Sequence, residues 1–136
     1  MKTKFKEGQA VLYQNGTTFG NEMPPVKEYL SAQQRDGKNL EAADIYKNTW
    51  LWLKSLNCEK FVNSQLIEQY ATSVARWLQC EEAITKFGFL GKHPITGAPI
   101  QSPYVAMSQS FMKQANLAWL QIQDDVMEQL LRSRRK

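Results

Sequence analysis

The chain has 136 residues, 43% hydrophobic and 22% charged, enough for one globular domain with a real core. No apolar run approaches the roughly 18 residues of a membrane span, and none follows the basic start Met1–Lys6 as a secretory leader requires, so neither a membrane partner nor export is expected. The formal charge of +4 is spread thinly: residues 1–38 carry six basic and four acidic side chains, 39–123 seven and six, and 124–136 four and three, so charge alone is weak evidence for nucleic acid.

Residues 1–38 lack a sustained hydrophobic period and contain Gly8, Asn15-Gly16, Gly20, Pro24-Pro25 and Asp36-Gly37. They read as an irregular basic arm with at most one short helical turn near Val26–Gln34. A first helix is expected from Asn39 to Leu56, with Asn39 as N-cap and Glu41 and Asp44 at the positive end of the dipole. Its three-to-four spacing places Ile45, Thr49, Trp52, Leu53 and Leu56 on the inner stripe. Tyr46 and Trp50 then form a second, outward aromatic surface. Aromatic side chains dominate interface hot spots, so both are candidates for a subunit contact.

A second helix is expected from Asn63 to Phe87, capped by Asn63 or Ser64 and closed by Gly88. Leu66, Tyr70, Val74, Trp77, Cys80 or Glu81, and Ile84 trace its inner face. The Gly- and Pro-rich stretch Gly88–Ser102 follows, with a hairpin about Pro94–Gly97. Ser102 and Pro103 are the cap and first residue of a third helix running to Leu131 or beyond. It carries one stripe of Phe111, Ala115, Ala118 and Ile122. A second, of Val105, Met112, Trp119 and Val126, adds Trp119 to the candidate oligomer contacts.

The expected architecture is all-α: a long antiparallel pair of helices two and three, an additional N-terminal helix packed across it, and the irregular arm. Excess apolar helix surface points to a homo-oligomer. The divisions are 1–38 for the arm, 39–123 for the helical core and oligomerisation domain, and 124–136 for an acidic–apolar–basic terminus. That terminus reads equally as a solvated helix end and as a docking element built on Val126, Met127, Leu130 and Leu131.

No residue is assigned to catalysis, and no cofactor or metal is expected. Cys58, Cys80 and the single histidine, His93, are too few for a four-ligand zinc site in one subunit. Glu81-Glu82 and Asp124-Asp125 are adjacent on helices and point about 100° apart, so neither pair converges on an ion. No Gly-rich phosphate loop is present.

Several segments, taken in order, resemble the phage terminase small-subunit family, in the branch common in phages and prophages of Gram-positive bacteria. They are Ile45-Tyr46-Lys47-Asn48-Thr49-Trp50-Leu51-Trp52-Leu53, Glu68-Gln69-Tyr70-Ala71 with Ala75-Arg76-Trp77, Lys92-His93-Pro94-Ile95-Thr96-Gly97 with Ser102-Pro103-Tyr104, and Met107-Ser108-Gln109 through Lys113-Gln114-Ala115-Asn116. The resemblance covers about residues 39–120. It implies a non-enzymatic DNA-packaging subunit in the cytoplasm of an infected bacterial host. Such a subunit forms an oligomeric ring, binds double-stranded viral DNA at the packaging site, and delivers it to the terminase large subunit, which holds the ATPase and nuclease.

The near-balanced central domain then directs phosphate contacts to the ends: Lys2, Lys4 and Lys6 in the arm, and Arg132, Arg134, Arg135 and Lys136 at the terminus. Lys47, Lys54 and Lys60 are the competing surface. Two alternatives stand beside this reading, a structural oligomerisation module and a DNA-binding regulator of a mobile element.

Overall fold

The structure, a computed structural model, describes residues 23–134. Three helices carry it: α1 (Ala42–Ser55), α2 (Ser64–Phe87) and α3 (Pro103–Arg134). Between α2 and α3 lies a two-stranded antiparallel hairpin, β1 (Leu90–Lys92) with β2 (Pro99–Gln101), in the register Leu90 with Gln101 and Lys92 with Pro99. Single 3-10 turns occupy Glu28–Ser31 and Glu59–Phe61. The fold is mostly helical, and the short sheet is an addition to the all-α expectation.

Three of the helix ends follow sequence chemistry closely. The Asn63 side chain accepts the Gln65 backbone N–H at 2.7 Å, capping α2. Gly88, at φ +89°, ends it in a conformation that L side chains rarely adopt. Ser102 Oγ accepts the Tyr104 N–H at 3.2 Å, and Pro103 opens α3. The start of α1 differs from expectation. Asn39 is not the cap; Glu41 holds that position without a side-chain cap bond, while Asn39 pairs with Gln33 in an isolated bridge. Backbone bonding to the preceding segment has replaced side-chain capping.

α2 and α3 run in opposite directions, shown by their successive contacts. Phe87 stacks on Tyr104 with centroids 6.3 Å apart, Glu81 accepts from Ser108 Oγ at 2.5 Å, and Tyr70 meets Trp119 at 5.2 Å. Of the expected inner face of α2, Cys80 is buried and Leu66, Tyr70, Val74, Trp77 and Ile84 are half-buried, with Tyr70 against Trp119 of α3. The buried Ile67, Ala71 and Ala75 lie in the cluster with Tyr46, Trp50, Leu30 and Leu40.

The main correction concerns α1. Tyr46 and Trp50, expected to face outward and to hold subunits together, are each 1% exposed and are the two largest fully buried side chains of the described chain. They share one cluster with Leu53, Ile67, Ala71, Ile122 and Val126. The helix is rotated from the expected orientation, because Tyr46, Thr49, Trp50 and Leu53 also fall at three-to-four spacing and bury more area than the Ile45–Trp52 alternative. Trp52, expected inside, is 36% exposed, although its ring still meets Trp119 at 5.4 Å.

The segment before α1 is packed as well. Pro24 and Leu30 are fully buried, and Leu40 is 3% exposed. Lys27 Nζ lies 3.2 Å from a carboxylate oxygen of the buried Glu68, and the Tyr29 hydroxyl donates to the other at 3.1 Å. Arg76 donates to Gln34 at 2.6 Å. Residues 23–40 therefore rest on α2 of their own chain rather than on a partner.

Trp50→Ala should lower unfolding stability by about 3–5 kcal/mol, whereas Leu51→Ala, at a half-exposed neighbour, should change it by no more than about 0.5 kcal/mol. Urea unfolding followed by circular dichroism checks both. Equal effects at the two positions would contradict this orientation of α1.

Candidate functional site

Surface chemistry rather than a catalytic pocket is what the described residues offer. Among them, no group of three or more His, Cys, Asp and Glu side chains is placed to hold a metal ion. A cleft of about 440 Å³ lies between residues 34–41 and the α2–α3 end, and its charges oppose one another. Arg35, Lys38 and Lys86 face Asp36, Glu41 and Glu82 there, so it presents no strong field to an anion. A shallower groove of about 540 Å³ runs between Tyr29, α2 and α3 and is lined mainly by Leu66, Leu117, Ala118 and neutral amides. Among the described residues, no helix is long and apolar enough to cross a membrane.

His93 is a turn-former. Its Nδ1 accepts the backbone N–H groups of Ile95 and Thr96 at 3.1 and 3.2 Å, which orders the hairpin tip. The two cysteines are buried and reduced. Burial pushes both thiols up, reinforced at Cys58 by the Glu59 carboxylate and at Cys80 by Glu81, with Arg76 opposing the latter. Burial likewise raises the Tyr29 phenol, and the charge of Glu68 adds to it, so the hydroxyl retains the proton it donates.

Among the described residues, the basic side chains singled out in the sequence lie on α1, the following 3-10 turn and the end of α3. Lys47 and Lys54 are two turns apart on the exposed side of α1, and Lys60 is exposed in the following 3-10 turn. Lys54 also places its ammonium 5.6 Å from the centroid of Trp50, at the rim of the core. Arg132 pairs with Glu128 at 2.7 Å on an exposed surface, and Arg134 is the last residue of α3. Lys2, Lys4, Lys6, Arg135 and Lys136 lie outside the described residues.

The aromatic and apolar candidates divide. Trp119 is half-buried between Trp52 and Tyr70, tying α1 to the α2–α3 seam. α3 continues unbroken through Asp124–Arg134, so the acidic–apolar–basic terminus is the end of that helix. Val126, expected to dock a partner, is 3% exposed and belongs to the core, on the same face of α3 as the buried Ile122 one turn earlier. Met127, Leu130 and Leu131 are exposed at 52, 37 and 45%.

The family model of the phage terminase small subunit matches residues 42–124, from the first residue of α1 into the last turns of α3. That is more than half of the chain and takes in α1, α2 and α3 as far as Asp124. The chain belongs to the phage terminase small-subunit family. Comparison with curated proteins and with solved structures finds no match. Membership supports a role in phage DNA packaging, and this terminase subunit is mostly helical, with its conserved-model region coinciding with the packed helices rather than with the ends.

Sequence reasoning missed two features of this subunit. One is the Glu68 anchor, which has no sequence signature beyond an acidic residue on a helix. The other is an outward apolar series on α3, Leu117, Leu120, Met127 and Leu131, which three-to-four spacing alone discloses.

Truncation after Ile122 should cost about 2 kcal/mol or more, because it strips Val126 from the core, while Met127→Ser should be neutral within about 0.5 kcal/mol. Thermal unfolding checks this, and a stable truncated chain would contradict it. Native Cys58 and Cys80 should react with a thiol reagent at least about tenfold more slowly than in denaturant. Equal rates would place either thiol at the surface.

Proposed function

We propose that this terminase small subunit is the DNA-recognition component of a phage packaging motor. It binds double-stranded viral DNA at the packaging site as a homo-oligomeric ring and presents it to the large subunit, which supplies the ATPase and nuclease. Its own part is binding and placement, without catalysis. The family match over residues 42–124 carries this reading. Together with the helical build and the charge distribution, it favours a packaging subunit over a regulator or a purely structural module.

Physical arithmetic supports the oligomer. One subunit has few unopposed cations, and non-specific DNA affinity rises with the number of phosphates neutralised. Repetition in a closed assembly sums weak contacts into useful affinity. A ring uses a heterologous contact, in which two different faces meet. The burial of Tyr46 and Trp50 leaves the exposed edge of the Trp52–Trp119 cluster as the available part of the aromatic surface.

Phosphate contacts come from Lys2, Lys4, Lys6, Arg132, Arg134, Arg135 and Lys136. The Arg132–Glu128 pair is exposed on both sides and is easily exchanged for a phosphate. Met127, Leu130 and Leu131 at the end of α3 are the docking surface for the large subunit.

Neutralising the two basic ends should weaken duplex binding by about tenfold or more at fixed salt and flatten its salt dependence. Neutralising Lys47, Lys54 and Lys60 should have the smaller effect. Electrophoretic mobility across a salt series checks this. Binding retained without the ends but lost without the α1-side lysines would move the DNA contact to the folded domain.

A further inference from the structure

α3 is apolar on two opposite faces. Ala115, Ala118, Ile122 and Val126 face the core, each at most 9% exposed. Leu117, Leu120, Met127 and Leu131 stand on the other side, 67, 59, 52 and 45% exposed. With Lys113 and Asp124 they complete the series 113–117–120–124–127–131, whose alternating steps of four and three are those of a coiled-coil seam. Every member is exposed.

The charges within this series have no side-chain partner among the described residues. Neighbouring polar residues are tied along the helix, Gln114 to Ser110 and Gln121 to Asp125. Lys113 and Asp124 have neither an ion pair nor a hydrogen bond among the described residues. Two opposite charges bracketing two exposed leucines on one stripe form a self-complementary pattern.

We propose that this face of α3 packs against the same face of a second copy of the chain, antiparallel, about a two-fold axis level with Ala118 and Trp119. Lys113 and Asp124 are equidistant from that level, and so are Leu117 and Leu120. In this register Leu117 of each copy meets Leu120 of the other. Lys113 of each meets Asp124 of the other, setting an ion pair at both ends of a four-leucine centre.

Other pairings satisfy less. A parallel pairing opposes Lys113 to Lys113 and Asp124 to Asp124. Sliding the antiparallel partner by one heptad in either direction sets both charges against Leu or Ala side chains. A register centred on Met127 and Leu131 pairs Asp124 with Arg134 but leaves Leu117 and Leu120, the most exposed of the set, uncovered. The positions flanking the proposed centre, Gln114, Asn116, Gln121 and Gln123, are neutral amides, so no like charges are brought together.

The inference rests on the homo-oligomer part of the proposed function and adds a specific surface to it. A two-fold contact closes with two copies, so it couples subunits pairwise and does not itself propagate a ring. Opposite Met127 and Leu131 the second copy offers only Ser110 and Ala106. Those small side chains leave the large-subunit docking end partly open.

The test is sedimentation equilibrium of the full chain, unmodified and with Lys113→Glu, Asp124→Lys, or both, with helicity monitored in parallel. Both positions are exposed, so folding is expected to be unchanged. Either single reversal should weaken self-association at least about tenfold by opposing like charges across both ends of the contact. The double reversal should restore it. Leu120→Glu should abolish this association while leaving helicity intact. Association indifferent to the single reversals, or not rescued by the double one, overturns this contact and leaves the homo-oligomer reading standing. A strictly monomeric unmodified chain overturns both.

Discussion

Burial of the Tyr46–Trp50–Leu53 face of α1 against α2 and α3 is the constraint on which the rest of the subunit depends. The two aromatic rings are the largest fully buried side chains of the described residues. Ile67 and Ala71 from α2, and Ile122 and Val126 from α3, converge on the same cluster. Leu30 and Leu40 close it from the segment before α1, and the Lys27–Glu68–Tyr29 contacts hold that segment in place. With Lys27 44% exposed the ion pair is partly screened by solvent, and its main effect is positional: it holds the segment before α1 against α2.

With α1 so oriented, the division between inside and outside follows along all three helices. α3 reaches the core through short residues and so keeps its long ones, Leu117, Leu120, Met127 and Leu131, for the solvent side. Apolar residues distributed in this way are costly for an isolated subunit and ordinary for one that assembles. The same rotation withdraws Val126 from the surface and leaves Met127, Leu130 and Leu131 exposed. Assembly and partner docking are therefore proposed for the outer face of one helix, and DNA contacts for the chain ends.

The helices were legible from sequence where local chemistry decides: Asn63 and Gly88 bound α2, and Ser102-Pro103 opens α3. The stripe facing inward was not. On α1 two interleaved series satisfy helical spacing, one through Thr49 and Trp52 and one through Tyr46 and Trp50. Only the three-dimensional fit against α2 and α3 selects between them. On α2 hydrophobicity pointed to Leu66, Tyr70 and Trp77, which are half-buried, whereas Ile67, Ala71 and Ala75 are the residues that enter the central cluster. The Lys27–Glu68 contact joins residues 41 positions apart, a separation that no local pattern encodes. Family membership was readable from ordered motifs that lie on all three helices and the hairpin between α2 and α3.

The mass of the complex formed with double-stranded DNA tests the functional account most directly, since the proposed function has several copies acting on one duplex. Native mass spectrometry of the full chain mixed with duplex DNA at low salt is predicted to give complexes holding multiple copies per duplex and to lose them as salt rises. Complexes with a single copy per duplex, or no complex at any salt concentration, would contradict it.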